Sequence, residues 1–342
     1  MRGALLAMVV VGCYSPAPRP GAPCTENANC PTPLVCSPAT LTCELDATSA
    51  PDAQLVDAPP LVDGCVPDVE ICGDGIDQNC DTIDPQCAAN DKPAGAVNVT
   101  AGGMFMADSR AATDDVSPNG CGGVGGNDLF YRVTLDAPQV YYFDTFGSSF
   151  DTVLRVYKKP CAQVGTGAGA AACNTDACGG SESQLAVSLA AGENCIVVDA
   201  DTATTAGQLA LRVVPGKRDG MPLPSGQQTL TGNTCGSTNL EDPIDQNCDA
   251  PGSGGKDLAY FFTSCPGQTL MLDANICPEP AWDPVLYVKR VNGNQIGCND
   301  DSCGFGPSIA NVTISSSTLY WLYVDGFDPS HCGPYDLDTN LR

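Results

Sequence analysis

Phe150-Asp151-Thr152-Val153-Leu154-Arg155-Val156-Tyr157 and Trp282-Asp283-Pro284-Val285-Leu286-Tyr287-Val288 are two versions of one strand. Each is an aromatic residue and an Asp followed by a short apolar run, long enough for a buried strand and too short for a helix. The likeness continues outward on both sides. Gly125 to Tyr131 (Gly-Gly-Asn-Asp-Leu-Phe-Tyr) parallels Gly254 to Tyr260 (Gly-Gly-Lys-Asp-Leu-Ala-Tyr). Cys173 to Gly179 parallels Cys298 to Gly304. Val197-Val198-Asp199 parallels Tyr323-Val324-Asp325, and Gly207 to Leu211 parallels Gly333 to Leu337. The order is kept throughout, so the chain carries an internal duplication.

Each half reads as short strands that alternate or run apolar. They are 129–135, 140–145, 152–157, 185–189, 195–200 and 209–213 in the first half. In the second they are 258–262, 269–274, 285–289, 310–314, 319–325 and 335–341. Gly, Pro, Asn and Asp separate them, which is the punctuation of a β-sandwich. The composition agrees: 37 Gly and 28 Pro against 6% aromatic residues suit strands and turns better than a helical core. The expected fold is all-β. Two tandem jelly-roll-like β-sandwich domains, 91–215 and 216–342, follow small disulfide-rich modules and a disordered stalk.

The chain has 21 Cys and one His. Thiols at this density point to an oxidising compartment, hence export. Zinc modules use paired Cys, often with His; here the close pairs are Cys173/Cys178 and Cys298/Cys303 alone, so disulfides are the expected use. Four cysteines at even spacing, Cys24, Cys30, Cys36 and Cys43, form a knot over 24–43 too small for an apolar core. They allow three connectivities. A second group is Cys65, Cys72, Cys80 and Cys87. The sandwich halves hold five and seven cysteines. Odd counts require a bridge across the boundary or free thiols, and Cys121 and Cys332 are the candidates for such a bridge.

Residues 1–12 place Arg2 before an apolar run too short to span a bilayer, as an export signal does. Val10-Val11-Gly12-Cys13 resembles a lipobox, which implies lipidation at Cys13 and a membrane partner through the lipid. Removing Cys13 leaves an even cysteine count. Tyr14 in place of Asp implies, by resemblance to lipoprotein sorting, an outer-membrane or cell-surface location. A spacer (13–23) leads to the knot, and an Ala/Pro/Asp linker over 44–63 reads as an extended stalk.

Residues 64–90 hold Asp74, Asp77, Asn79, Asp81 and Asp84 on one loop. Dense carboxylate and amide oxygens suit a hard cation such as calcium; a disulfide-held acidic turn is the other reading. The segment resembles the Asp/Cys-rich metal-binding motif of large bacterial secreted proteins. It matches in kind at Glu70, Cys72, Asp74, Gly75, Asp77, Asn79, Cys80 and Asp81, and departs at Gly73, Gln78 and Thr82. Ile244-Asp245-Gln246-Asn247-Cys248-Asp249 echoes it, so Asp245, Asn247 and Asp249 are either a second acidic loop for a cation or a coincidence of composition. Calcium is the one cofactor expectation.

The run from Asp128-Leu129-Phe130 through Asp151-Thr152-Val153 and Cys195-Ile196-Val197-Val198-Asp199 to Gly207-Gln208-Leu209 resembles the bacterial pre-peptidase C-terminal domain. That family is a jelly-roll-like sandwich appended to secreted proteins. The resemblance implies the fold more than a function. Some members bind collagen-like or carbohydrate ligands, and some bind calcium near the domain start, where Asp128 and Asp257 fall. Asp176 and Asp300-Asp301 lie in the next acidic loop and also suit plain turn chemistry.

The net charge of −25 repels phosphate backbones, so no nucleic acid partner is expected. His331 alone serves no two-His zinc peptidase motif, and no Gly-x-Ser-x-Gly elbow supports a triad. The protein is read as no enzyme. It is expected to be a lipid-anchored envelope protein whose sandwiches bind an extracellular protein or glycan, with a calcium-binding structural role as the first alternative and a cryptic secreted hydrolase as the second. Tyr141-Tyr142-Phe143 and Tyr320-Trp321-Leu322-Tyr323 must put one face in a core; the other face is either packing or an exposed aromatic platform.

Overall fold

In the computed structural model, residues 23–26, 30, 34–45, 72–73, 75–78, 80, 82–84, 86–116, 120–165, 169–244, 248, 253–278 and 280–342 are described. The chain divides into two compact units, Met1–Cys65 and Val66–Arg342. The expected signal peptide, stalk and lipidated Cys13 lie outside the described residues.

In the first unit, β1 (Leu34–Ser37) and β2 (Thr42–Leu45) form an antiparallel hairpin. Cys24 bonds Cys36 and Cys30 bonds Cys43, an interleaved connectivity. Among its described residues, Cys24, Leu34 and Cys43 alone are buried. So little apolar surface cannot offset chain entropy, and the two crosslinks hold the hairpin instead.

The second unit contains both sandwiches, and the described residues include no α-helix. Sandwich 1 has a five-stranded sheet. Its order is β3 (Val97–Asn98), β5 (Leu129–Leu135), β10 (Gly192–Ala200), β7 (Thr152–Tyr157) and β8 (Ala172–Asn174). Its four-stranded sheet runs β4 (Gly103–Asp108), β11 (Gln208–Pro215), β6 (Gln139–Asp144) and β9 (Gln184–Leu189).

Sandwich 2 repeats this strand for strand. The five-stranded sheet is β12 (Met221–Pro222), β14 (Leu258–Thr263), β19 (Leu319–Gly326), β16 (Pro284–Arg290) and β17 (Gln295–Asn299). The four-stranded sheet is β13 (Gly226–Asn233), β20 (Pro334–Leu341), β15 (Leu270–Asn275) and β18 (Ser308–Ile314). β3 pairs parallel to β5 and β12 parallel to β14, and the other strand pairs among the described residues are antiparallel.

Alternation fills each core. Leu129, Tyr131, Val133, Tyr141, Phe143, Ile196, Leu209 and Leu211 face inward in sandwich 1. Tyr260, Leu272, Leu286, Tyr320, Leu322 and Leu337 do so in sandwich 2. A third apolar cluster joins the copies. Val140 and Tyr142, on the outer face of the four-stranded sheet of sandwich 1, pack with Ala259, Phe261, Tyr287, Trp321 and Tyr323, on the outer face of the five-stranded sheet of sandwich 2. Gly216 and Gly220 in the connection let Trp321 lie against backbone. A Cβ at Gly220 would stand 2.7 Å from its ring, and one at Gly216 3.0 Å.

The four cysteines of the two close pairs are all in disulfides, but not with each other. Cys173 bonds Cys121, Cys178 bonds Cys265, Cys298 bonds Cys248 and Cys303 bonds Cys277. Of the two outcomes that the odd counts allowed, the boundary-crossing bridge exists, and it is Cys178–Cys265. Cys121 is used within sandwich 1, and Cys332 bonds Cys235 within sandwich 2. The reason is local. Cys173 sits on β8 opposite Arg155, whereas Cys178 lies past the strand end in a turn at φ 60°. Four intervening residues thus send the two sulfurs to different neighbours.

Candidate functional site: an open polar sheet face

β13, β20 and β15 alternate. Leu230, Leu337, Leu341, Leu272 and Ala274 face the core, and the outward positions are polar apart from Met271 and Pro334. Register sets these in rows across the sheet. Gln227 lies opposite Asn340, which lies opposite Asp273; Thr229 lies opposite Asp338, which lies opposite Asn275. These six residues, with Gln228 and Thr339, line a trough of about 530 Å³. Neighbouring strands stand about 4.8 Å apart and successive outward positions about 6.8 Å apart, the scale of one sugar ring.

The donors and acceptors are pre-set. Thr229 Oγ1 donates to Asp338 Oδ1 at 2.6 Å. Asp273 accepts from the Asn311 amide at 2.7 Å and pairs with Arg342. The amide first and the guanidinium second hold the Asp273 carboxyl below its usual range. The four strands of this sheet carry no Lys, Arg or Glu. A sheet face that is merely solvated usually displays long charged chains. Short amides, hydroxyls and carboxylates lose less rotamer freedom when they hydrogen-bond a ligand.

The same positions in sandwich 1 are used differently. Asp273 corresponds to Tyr142, Asn340 to Val214, Thr229 to Met104 and Thr231 to Met106, as the matching registers require. Tyr142 is fully buried under sandwich 2 and Val214 packs beside it. The face closed in one copy is open in the other.

Several residues singled out by sequence lie elsewhere. Asp74, Asn79, Asp81, Asp245, Asn247, Asp249 and Cys65 are outside the described residues. Cys72 bonds Cys87, and Cys80 is disulfide-bonded as well. Asp84 accepts the Gly73 and Gly75 amides at 2.7 Å each, and Asp77 accepts the Thr82 amide at 2.6 Å. Those contacts tie the loop's own backbone to its carboxylates. The aromatic platform is absent: Tyr142, Trp321 and Tyr323 are buried between the sandwiches. His331 Nδ1 lies 3.0 Å from exposed Asp328. Asp283, Asp300 and Asp301 cluster within 4.8 Å, and burial, then Asp301, pushes the Asp283 carboxyl up.

Asp128 and Asp257 start equivalent strands and do equivalent work on different terms. Asp128 accepts the Asp115 and Val116 amides at 2.7 Å with one oxygen; its other oxygen has no hydrogen-bond partner among the described residues. Burial pushes its carboxyl up to about 7. Nearby Asp199, paired with Arg155 at 3.4 Å, is pushed up to about 9 by burial and by Asp128. Asp257 likewise accepts the Leu240 and Glu241 amides, but it also pairs with the Arg218 guanidinium. Lys289 pairs with Glu241 beside it at 2.5 Å. Sequence reading singled out the two Asp residues but not the cations, because Arg218 comes from the connection and Lys289 from a strand position held by Tyr157 in sandwich 1.

No family model matches the chain, and no curated protein matches it in sequence. Among solved structures, it is similar to the pre-peptidase C-terminal domain of a collagenase from Bacillus anthracis. That match has 11% identity over 36% of this chain and 95% of that one, with a TM-score of 0.24. It is also similar to the CUB1-EGF-CUB2 domains of rat MASP-1, at 11% identity over 72% of this chain and 99% of that one, with a TM-score of 0.20. Likenesses this distant carry no functional argument. The two-sandwich fold rests on the strand order and registers above.

Proposed function

We propose that this is a non-catalytic, lipid-anchored envelope protein that presents the trough of sandwich 2 to a hydroxyl-rich ligand, a carbohydrate. The disulfide density supports export, and Cys13 in its lipobox-like setting supports the anchor. The trough carries the ligand reading. Two rows of amide, hydroxyl and carboxylate groups lie at sugar-ring spacing on a rigid sheet. The residues lining the trough include no His, Ser, Cys or Lys, which supports a binding role over a Ser–His hydrolase.

Glycan-array screening of the exported portion, followed by calorimetry, tests the reading. Saturable binding is expected. Asp338→Ala should weaken it about tenfold or more, since a hydrogen bond to a charged acceptor contributes about 1.5–3 kcal/mol. An array without a specific ligand, or binding indifferent to Asp338→Ala and Asn340→Ala, overturns it. Intact mass spectrometry of the native protein tests lipidation at Cys13.

A further inference from the structure

We infer that two copies of this chain associate through β4 of sandwich 1, edge to edge. β4 is the last strand of its sheet and, among the described residues, pairs only with β11. Its sequence is Gly103-Met104-Phe105-Met106-Ala107-Asp108. Among the described residues nothing covers this edge, and the strand has no Lys, no Pro and no bulge. Asp108, at its end, is neutralised by Arg110 at 2.6 Å.

The side chains match an interface. Phe105 turns inward against the core, so Met104 and Met106 point out and are 57% and 66% exposed. They lie on the face that receives sandwich 2. Met104 is the cross-strand neighbour of Arg212, whose Nη2 donates to the Ser317 carbonyl of sandwich 2 at 2.7 Å. The methionines therefore border the contact with sandwich 2, beyond the part that it covers.

The duplication supplies a control. Where the equivalent face is open, in sandwich 2, these positions are Thr229 and Thr231. Solvent exposure alone accounts for threonine and not for two methionines.

A second copy fits because the strand is self-complementary. Antiparallel pairing centred on Phe105 places Met104 opposite the other copy's Met106 and the reverse, on one face. Such cross-strand pairs bring side chains about 4.5–5.5 Å apart. The two Asp108 residues fall at opposite ends of the paired strands. The contact is isologous, so it closes at a dimer.

Sedimentation equilibrium of the lipid-free exported portion tests this over a concentration series, in low and high salt. A reversible dimer is expected that tightens with salt, because each chain carries a charge of −25 and screening relieves repulsion. Met104→Lys and Met106→Lys, at exposed positions that leave the core intact, should each weaken the dimer at least about tenfold. Thr231→Lys, the matching change in sandwich 2, should leave it unchanged. A protein monomeric throughout the series overturns the inference. So does a dimer that survives both Met variants while circular dichroism shows the variants folded.

Discussion

The two sandwiches share strand order and register, yet each covers the outer face of its five-stranded sheet by a different device. In sandwich 1 the outward position on β10 is Cys195, which bonds Cys161 and pins a short turn over the sheet. In sandwich 2 the same position on β19 is Trp321, which packs against sandwich 1. The four-stranded sheets diverge the other way: Tyr142 and Val214 seat the neighbour, while Asp273 and Asn340 stay open. Duplication supplied two copies of every face. One of each kind joins the copies, and one polar face was left open.

The largest expected effect comes from the joint. Trp321→Ala empties a buried site and should cost about 3–5 kcal/mol in chemical unfolding. A loss below about 1 kcal/mol would mean that the copies do not rest on each other.

The next test sets the paired Asp residues against each other. Asp257→Asn leaves Arg218 buried without its counter-charge and should cost about 3 kcal/mol. Asp128→Asn should cost far less near neutral pH, since Asp128 has no paired cation. Equal losses would erase the distinction.

Removing the covalent link is third. Cys178→Ser with Cys265→Ser should lower stability by about 2–4 kcal/mol, read from the urea midpoint, with secondary structure retained.

The smallest effect is a slope. Asp128 titrates at about 7 in the folded chain against an ordinary 3.8. The folded state therefore holds a proton that the unfolded state has released. This contribution makes stability fall as pH rises from 3.8 to about 7, and it is constant above. Asp128→Asn should flatten that fall, measured as urea midpoints at about pH 5 and about pH 8. An unchanged slope would assign the titration to other carboxyls.

Much of the fold was legible because it is local. Alternation in 129–135 and 258–262 marks strands whatever lies around them, and the repeated motifs marked the duplication. Cysteine parity pointed to a crossing bridge or free thiols, but the bridge's partners depend on where a turn aims Cys178, which spacing does not encode. The trough was not legible: Gln227, Asp273 and Asp338 meet only through pairing of strands far apart in sequence. The aromatic runs left packing and display open, since alternation identifies two faces and not what covers the second.

Hydroxyl-radical footprinting of the intact exported portion tests the central comparison most directly. Tyr142, Trp321 and Tyr323 should be oxidised no faster than the core residues Tyr131 and Tyr320, because the sandwiches close over them. Oxidation of Trp321 and Tyr323 at the rate of free surface aromatics would contradict the account, leaving the joint between the copies open and the aromatic face displayed.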